Sequence, residues 1–161
     1  EGANGVAVDP ADGAVMVVGY TVGDLWGQGS LGSLGGYDAF VARFSATGDT
    51  SWIRQHGTTE NDYGNGLFVS SGALYVVGRT DGPLDGAPQA GGGDAFLSKW
   101  ALDGTPQWSR KWGSPSEDRL LAVASDAVAR LIAVGYTLGQ LPQNTSAGQS
   151  DALVVFSHGL P

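Results

Sequence analysis

Three aspartates occupy the same place in three similar words of the sequence. The words are GGYDAFVARF (35–44) with Asp38, GGGDAFLSKW (91–100) with Asp94 and GQSDALVVFS (148–157) with Asp151. An acid that follows a glycine-rich loop can serve as a calcium ligand or a catalytic carboxylate, and it can also accept backbone N–H groups where a strand begins. Calcium needs about six to eight oxygen ligands, and each word offers one acid. The pattern therefore favours a structural role, in which each aspartate ends a loop and fixes the register of the next strand.

Other words recur in the same order at similar intervals, so the chain contains an internal repeat. The Asp words are 56 and 57 residues apart, and AVMVVGYT (14–21) returns as ALYVVGRT (73–80) and RLIAVGYT (130–137). A tryptophan word occurs twice, as TSWIRQHG (50–57) and PQWSRKWG (106–113), and is missing from the third unit. We predict one repeat domain over residues 1–161. Its units span about 1–61, 62–118 and 119–161, and the last is incomplete.

The sequence predicts four short strands joined by turns in units 1 and 2, and three such strands in unit 3. The fourth strand is expected to be outermost because it carries Arg54 in unit 1 and Arg110 and Lys111 in unit 2, and charge protects a sheet edge. An antiparallel four-stranded meander repeated about an axis is a propeller blade. The predicted fold is therefore all-β, with three propeller-type blades, the last lacking its outer strand. A β-trefoil, which is also built from three four-stranded repeats, is the alternative.

Composition narrows the range of partners. The chain has 27 glycines in 161 residues, 42% apolar residues and a formal charge of −8, which is typical of many strands joined by turns. The negative charge argues against nucleic acid as a partner. No cysteine is present, so disulfides and thiolate metal sites are excluded. No apolar run approaches the roughly 20 residues that cross a bilayer, and we expect no membrane span.

Motif searches indicate no enzyme chemistry. The segment GQGSLG (27–32) fits the GxGxxG pattern but does not lie between a strand and a helix, as a dinucleotide site requires. His56 and His158 stand at different places in the repeat. The sequence therefore predicts no catalytic residue, no cofactor and no metal.

The loop between the second and third strands is the best candidate for a contact surface, because it runs 13 to 16 residues in each unit. Leu25, Leu84 and Leu141 recur there as expected anchors. Trp26 has no counterpart in the other units, and it is interpreted either as packing or as a platform for a sugar or a protein partner. Asn144 begins an N-x-S sequon and is a candidate glycosylation site.

Taken together, the GGxDAF word, the xVxVGxT strand and a tryptophan strand that ends in glycine resemble the bacterial β-propeller repeats known as SBBP repeats. The resemblance covers nearly the whole chain. It implies a bladed β fold in exported or cell-surface bacterial proteins, with no catalytic activity shared by the family. Unit 3 departs from the pattern: Leu153 replaces the phenylalanine, the paired glycines are lost and the tryptophan strand is missing.

The missing strand predicts an incomplete assembly unit. Three blades are fewer than the usual four to eight of a closed propeller, so an open sheet edge and two blade faces need a partner. We hypothesise a non-catalytic, extracellular structural module. It would stack with copies of itself, as a fibre or a ring, or with adjoining repeats of a parent chain. The alternative is a carbohydrate-binding module whose partners are glycans.

Overall fold

The computed structural model describes residues 1–23, 25, 35–126, 128, 130–142, 145 and 148–158. Eleven β-strands form three antiparallel sheets, and no α-helix occurs among these residues. Sheet 1 contains β1 (Gly2–Val8), β2 (Val15–Thr21), β3 (Asp38–Phe44) and β4 (Thr50–His56). Sheet 2 contains β5 (Asp62–Ser70), β6 (Ala73–Thr80), β7 (Asp94–Ala101) and β8 (Pro106–Trp112). Sheet 3 contains β9 (Asp118–Ser125), β10 (Arg130–Thr137) and β11 (Asp151–His158).

The strands follow chain order within each sheet. The orders are β1-β2-β3-β4, β5-β6-β7-β8 and β9-β10-β11, and a 3₁₀ turn at Leu84–Gly86 lies in the loop after β6. The prediction of an all-β chain with eleven antiparallel strands, and of a third sheet one strand short, is confirmed. Within the described residues the sheets do not close into a ring, so the propeller-type arrangement stays a prediction.

Glycine is required where the first two strands of each sheet approach each other. At this point the first strand of each sheet carries a bulge, located at Asn4 in β1, at Asn65 in β5 and at Leu121 in β9. An ideal β-carbon on Gly78 would lie 1.9 Å from the carbonyl oxygen of Tyr63, closer than any real contact. The equivalent distances at Gly19 and Gly135 are 1.9 and 1.8 Å. The glycine of the recurring VVG and AVG segments is therefore needed because the backbones of the first and second strands come very close at this position.

Consecutive sheets stack face to face. We call the face of each sheet that points toward the preceding sheet its front, and the opposite face its back; the front of sheet 1 is the face that points away from sheet 2. Alternation along the strands assigns the residues to the two faces. One buried cluster joins the back of sheet 1 to the front of sheet 2, and it includes Met16, Val18, Val41, Leu74, Val76 and Phe96. A second joins the back of sheet 2 to the front of sheet 3, and it includes Tyr75, Val77, Leu97, Val123, Leu131 and Ala133.

The first strands of the three sheets lie close together at one side of the stack. The side-chain amide of Asn4 donates to the carbonyl of Gly64 at 2.9 Å, and Asn65 repeats this bond to Leu120 at 2.9 Å. A β-carbon on Gly66 would lie 2.5 Å from the carbonyl oxygen of Leu121, which shows how near β5 and β9 are. Bulky residues such as Trp52 and Trp100 fill the space between sheets 1 and 2 farther out.

Candidate assembly site

A row of polar residues crosses each sheet at the end that carries the long loops. Cross-strand partners define the rows: Thr21 and Asp38 in sheet 1, Asp62, Thr80 and Asp94 in sheet 2, and Asp118, Thr137 and Asp151 in sheet 3. All are buried apart from Asp151, which is half-buried. The three aspartates singled out in the sequence thus begin β3, β7 and β11, each as one member of a larger polar row.

Asp62 and Asp118 are members of these rows that the sequence reasoning missed. The backbone N–H of Thr58 donates to Asp62 at 2.6 Å, and its hydroxyl donates at 3.0 Å. Ser114 donates to Asp118 in the same way, at 2.6 and 2.8 Å. The sequence contains a signal for this arrangement, since a hydroxyl residue after the glycine of each tryptophan word stands four residues before the acid.

In sheets 1 and 2, a polar side chain of the outer strand contacts the recurring aspartate. In sheet 2 the ammonium group of Lys111 lies 3.0 Å from Asp94 and donates to the carbonyl of Gly82 at 3.0 Å. In sheet 1 the amide of Gln55 takes the same place, donating to the carbonyl of Gly23 at 2.8 Å and to Asp38 at 3.4 Å. Each of these side chains therefore ties the outer strand to the long loop and to the polar row.

The polar rows also meet across the sheet junctions. Burial raises the pKa of Asp62 to about 6, and the negative charge of Asp38 pushes it in the same direction, while hydrogen bonds from Thr80 and Thr58 oppose the rise. Asp94 lies at the next junction with Lys111 at salt-bridge distance. The two junctions thus share one architecture, and at the second junction the ammonium group of Lys111 lies beside the recurring acid.

Sheet 3 keeps the acceptors but has no outer strand among the residues described. A cavity of about 380 Å³ opens along the outer edge of β11, where Thr137, Gly139, Leu141, Asp151 and Leu153 line it. A second cavity of about 410 Å³ continues along the same edge. Its walls include Trp112 at the end of β8 and three residues of β11: Leu153, Val155 and Phe156.

The two end faces of the stack are apolar and exposed. Val18 and Val77 on the backs of sheets 1 and 2 are 0% exposed, whereas the equivalent Val134 on the back of sheet 3 is 41% exposed. On the same face, Val154 is 50% and Phe156 62% exposed. On the front of sheet 1, Val6 is 68% exposed. Ile53, on the same face, is buried. Residues that are buried at the internal junctions are therefore accessible at both ends.

An aromatic and cationic cleft spans the first strands of all three sheets. Its volume is about 490 Å³, and it is lined by Asn4, Tyr20, Tyr63, Asn65, Arg79, Arg119 and Leu121. Arg79 lies 2.8 Å from Asp81 and 3.1 Å from Glu117, and Arg119 lies 3.2 Å from Glu117. Because these acids balance the two arginines, the cleft presents aromatic rings and hydrogen-bonding groups without a strong net charge.

The loop leucines that were predicted as anchors differ in burial. Leu84 and Leu141 are buried and Leu25 is half-buried. Trp26 and Asn144 lie outside the described residues. No group of three or more His, Cys, Asp or Glu able to hold a metal occurs in the described ranges. Within those ranges, no helix is long and apolar enough to cross a bilayer.

Comparison with known proteins gives a partial likeness. No family model matches the sequence. The chain is 38% identical over 89 residues to a Caulobacter vibrioides protein described as regulatory protein FlaEY. That match covers 50% of this chain and 9% of the relative, so the chain spans only a small part of the length of that protein.

Proposed function

We propose that this chain is a non-catalytic structural module that stacks front to back with further units of its own kind. The observation that carries the proposal is the equivalence of the end faces with the buried junctions. Position by position, the exposed Val134 and Val154 on the back of sheet 3 repeat Val77 and Leu97, which are buried against the next sheet. The matching front face carries the exposed Val6. A second copy offers the complementary face to each end.

The sheets of such an assembly would be propeller-type blades. Two features support this arrangement: the first strands converge through Gly66 and the Asn4 and Asn65 bridges, and bulky tryptophans separate the outer strands. Convergence on one side and divergence on the other arrange successive sheets radially about an axis. Because a front-to-back contact joins different surfaces, it gives a ring if the rotation closes and a fibre if it does not. Adjoining repeats of a longer chain would present the same pair of faces.

Membership of the SBBP repeats and an extracellular location are parts of this proposal that rest on the resemblance of the words alone. The curated relative is described as a regulatory protein, and its printed name specifies no binding partner. A comparison of intact cells treated with external protease against lysed cells would test the location. Digestion of the protein in intact cells supports an extracellular position, and protection until lysis contradicts it.

Sedimentation velocity of the purified chain tests front-to-back stacking. The wild type should sediment as a concentration-dependent assembly. Val134→Asp should remain monomeric, because a carboxylate at the centre of an apolar interface has no partner there. Val128→Asp is the matched control, since Val128 is 73% exposed in the turn before β10 and belongs to neither face. A wild type that stays monomeric at high concentration contradicts the proposal.

Carbohydrate binding is a second candidate function, and the cleft of Tyr20, Tyr63, Arg79 and Arg119 favours it. Tyrosine rings with nearby amide and guanidinium donors can pack on the apolar side of a sugar ring and bond to its hydroxyls. A glycan array with the wild type and Tyr63→Ala tests this function. Hits that are lost in the variant support it, and an array without hits contradicts it.

A further inference from the structure

The outer strands β4 and β8 show what sheet 3 lacks. In both, the residue opposite the phenylalanine of the third strand is polar: Gln55 lies opposite the half-buried Phe40, and Lys111 lies opposite the buried Phe96. Each bonds to a glycine carbonyl at the start of the long loop and to the recurring aspartate. In sheets 1 and 2, the outer strand is therefore held to its sheet by a side chain as well as by backbone hydrogen bonds to the third strand.

A glycine follows two residues later for a steric reason. A β-carbon on Gly113 would lie 2.2 Å from Oδ1 of Asp94, closer than any real contact. At the equivalent Gly57, the β-carbon would lie 2.7 Å from Oδ2 of Asp62. The outer strand thus needs a polar donor, one free position and then glycine, as in Lys-Trp-Gly and Gln-His-Gly.

Sheet 3 presents the receptor for such a strand. By strand register, Leu153 replaces the two phenylalanines, Asp151 replaces Asp38 and Asp94, and Gly139 replaces the loop glycines. All three line the 380 Å³ cavity at the outer edge of β11. The adjoining 410 Å³ cavity lies between Trp112 and Phe156 and gives room for the side chains of an incoming strand.

We infer that the edge of β11 binds an extended segment that carries lysine two residues before glycine. The segment adds as an antiparallel fourth strand, with its lysine opposite Leu153 and its glycine opposite Asp151. The ammonium group enters the cavity and donates to Asp151 and to the carbonyl of Gly139. Lysine is favoured over glutamine because the receptor contains a carboxylate and the chain carries a formal charge of −8. The inference rests on the proposed assembly and specifies the chemistry of the strand that completes it.

A synthetic peptide with the sequence of residues 105–113, TPQWSRKWG, tests the inference on the full chain. Hydrogen exchange read by mass spectrometry should show new protection over β11, and anisotropy of the labelled peptide gives its affinity. Two matched peptides carry Lys111→Glu or Gly113→Ala. Each should bind at least about tenfold more weakly, because one places like charges together and the other introduces a clash. Protection elsewhere, no binding, or equal affinity of the three peptides overturns the inference.

The stacking-defective Val134→Asp chain separates this inference from the proposed assembly. Its substitution lies on the back face and leaves the outer edge of β11 in place, so it should bind the lysine peptide as the wild type does. Peptide binding by a wild type that never assembles would contradict the stacking proposal alone. Assembly of the wild type with no protection of β11 by the peptide would contradict the strand inference alone.

Discussion

Asp38 and Asp62 lie against the same glycine at the junction of sheets 1 and 2, although they belong to different sheets. A β-carbon on Gly57 would lie 3.1 Å from Oδ1 of Asp38 and 2.7 Å from Oδ2 of Asp62. Both residues are at most 1% exposed. Two acids buried this closely favour a protonated form of one of them, which links the stability of the junction to pH.

The first prediction concerns Asp62, whose pKa burial raises to about 6 from an ordinary value of 3.8. The folded state then binds the proton more tightly than the unfolded state, so this contribution is full below pH 3.8 and is lost as pH rises through 6. The wild type should gain about 2 kcal/mol over Asp62→Asn when the pH falls from about 7.5 to about 4.5. Urea unfolding of both proteins at both pH values measures the gain. An equal stability difference at the two pH values would contradict the raised pKa.

The second prediction exchanges the two outer-strand donors. Gln55→Lys places an ammonium group beside Asp38, as Lys111 stands beside Asp94 at 3.0 Å. At neutral pH it should stabilise the chain by roughly 1 kcal/mol, because it supplies a cation to an acid pair. The reciprocal Lys111→Gln should destabilise it by roughly 2 kcal/mol, since a buried carboxylate loses its counter-charge. Thermal unfolding of both variants checks the signs, and two changes of the same sign refute the account.

The third prediction tests the steric role of glycine in the outer strand. Gly113→Ala should cost about 2 kcal/mol or more, because its β-carbon would meet Asp94 at 2.2 Å and the β-carbon of Ala90 at 2.8 Å. Gly148→Ala is the control, since none of the residues that the structure describes lies within 4 Å of its β-carbon position. It should change the free energy of unfolding by less than about 0.5 kcal/mol. Equal costs in chemical denaturation would show that the contact at Asp94 is not the reason for the glycine.

The fourth prediction concerns His56, whose ring packs edge-on against Trp100 with centroids 5.1 Å apart. Burial lowers the pKa of His56, and the charge of Asp85 only partly opposes this. The folded state therefore resists protonation. The stability from this residue is full above the unfolded pKa of about 6.5 and is lost as pH falls below it. In an NMR titration, the imidazole signal that disappears in His56→Gln should titrate below about pH 6.5. A signal that titrates at or above that value contradicts the burial.

The strands and their order within each sheet could be predicted from the sequence, because local patterns determine both. Alternating apolar residues, turn glycines and the triplicated words predicted eleven antiparallel strands and the short third sheet. Charge on the tryptophan words placed β4 and β8 outermost, as found. These features depend on neighbours in the chain, and a short window of sequence contains them.

The acid pairs and the end faces were less accessible, because they depend on how sheets stack. Asp62 meets Asp38 only after sheet 2 has packed on sheet 1, and no spacing within one strand predicts that contact. The regular step from Thr58 to Asp62 and from Ser114 to Asp118 was visible as a pattern, but its meaning required the structure. The cleft around Tyr63 likewise combines residues from three sheets.

The central claim is that the front of one unit binds the back of another, and mixing two variants tests it most directly. Val6→Asp blocks the front and Val134→Asp blocks the back, so each variant alone should sediment as a monomer where the wild type assembles. Mixed in equal amounts, they should form a one-to-one dimer, because the intact front of one chain meets the intact back of the other. A mixture that sediments no faster than the separate variants would contradict the claim.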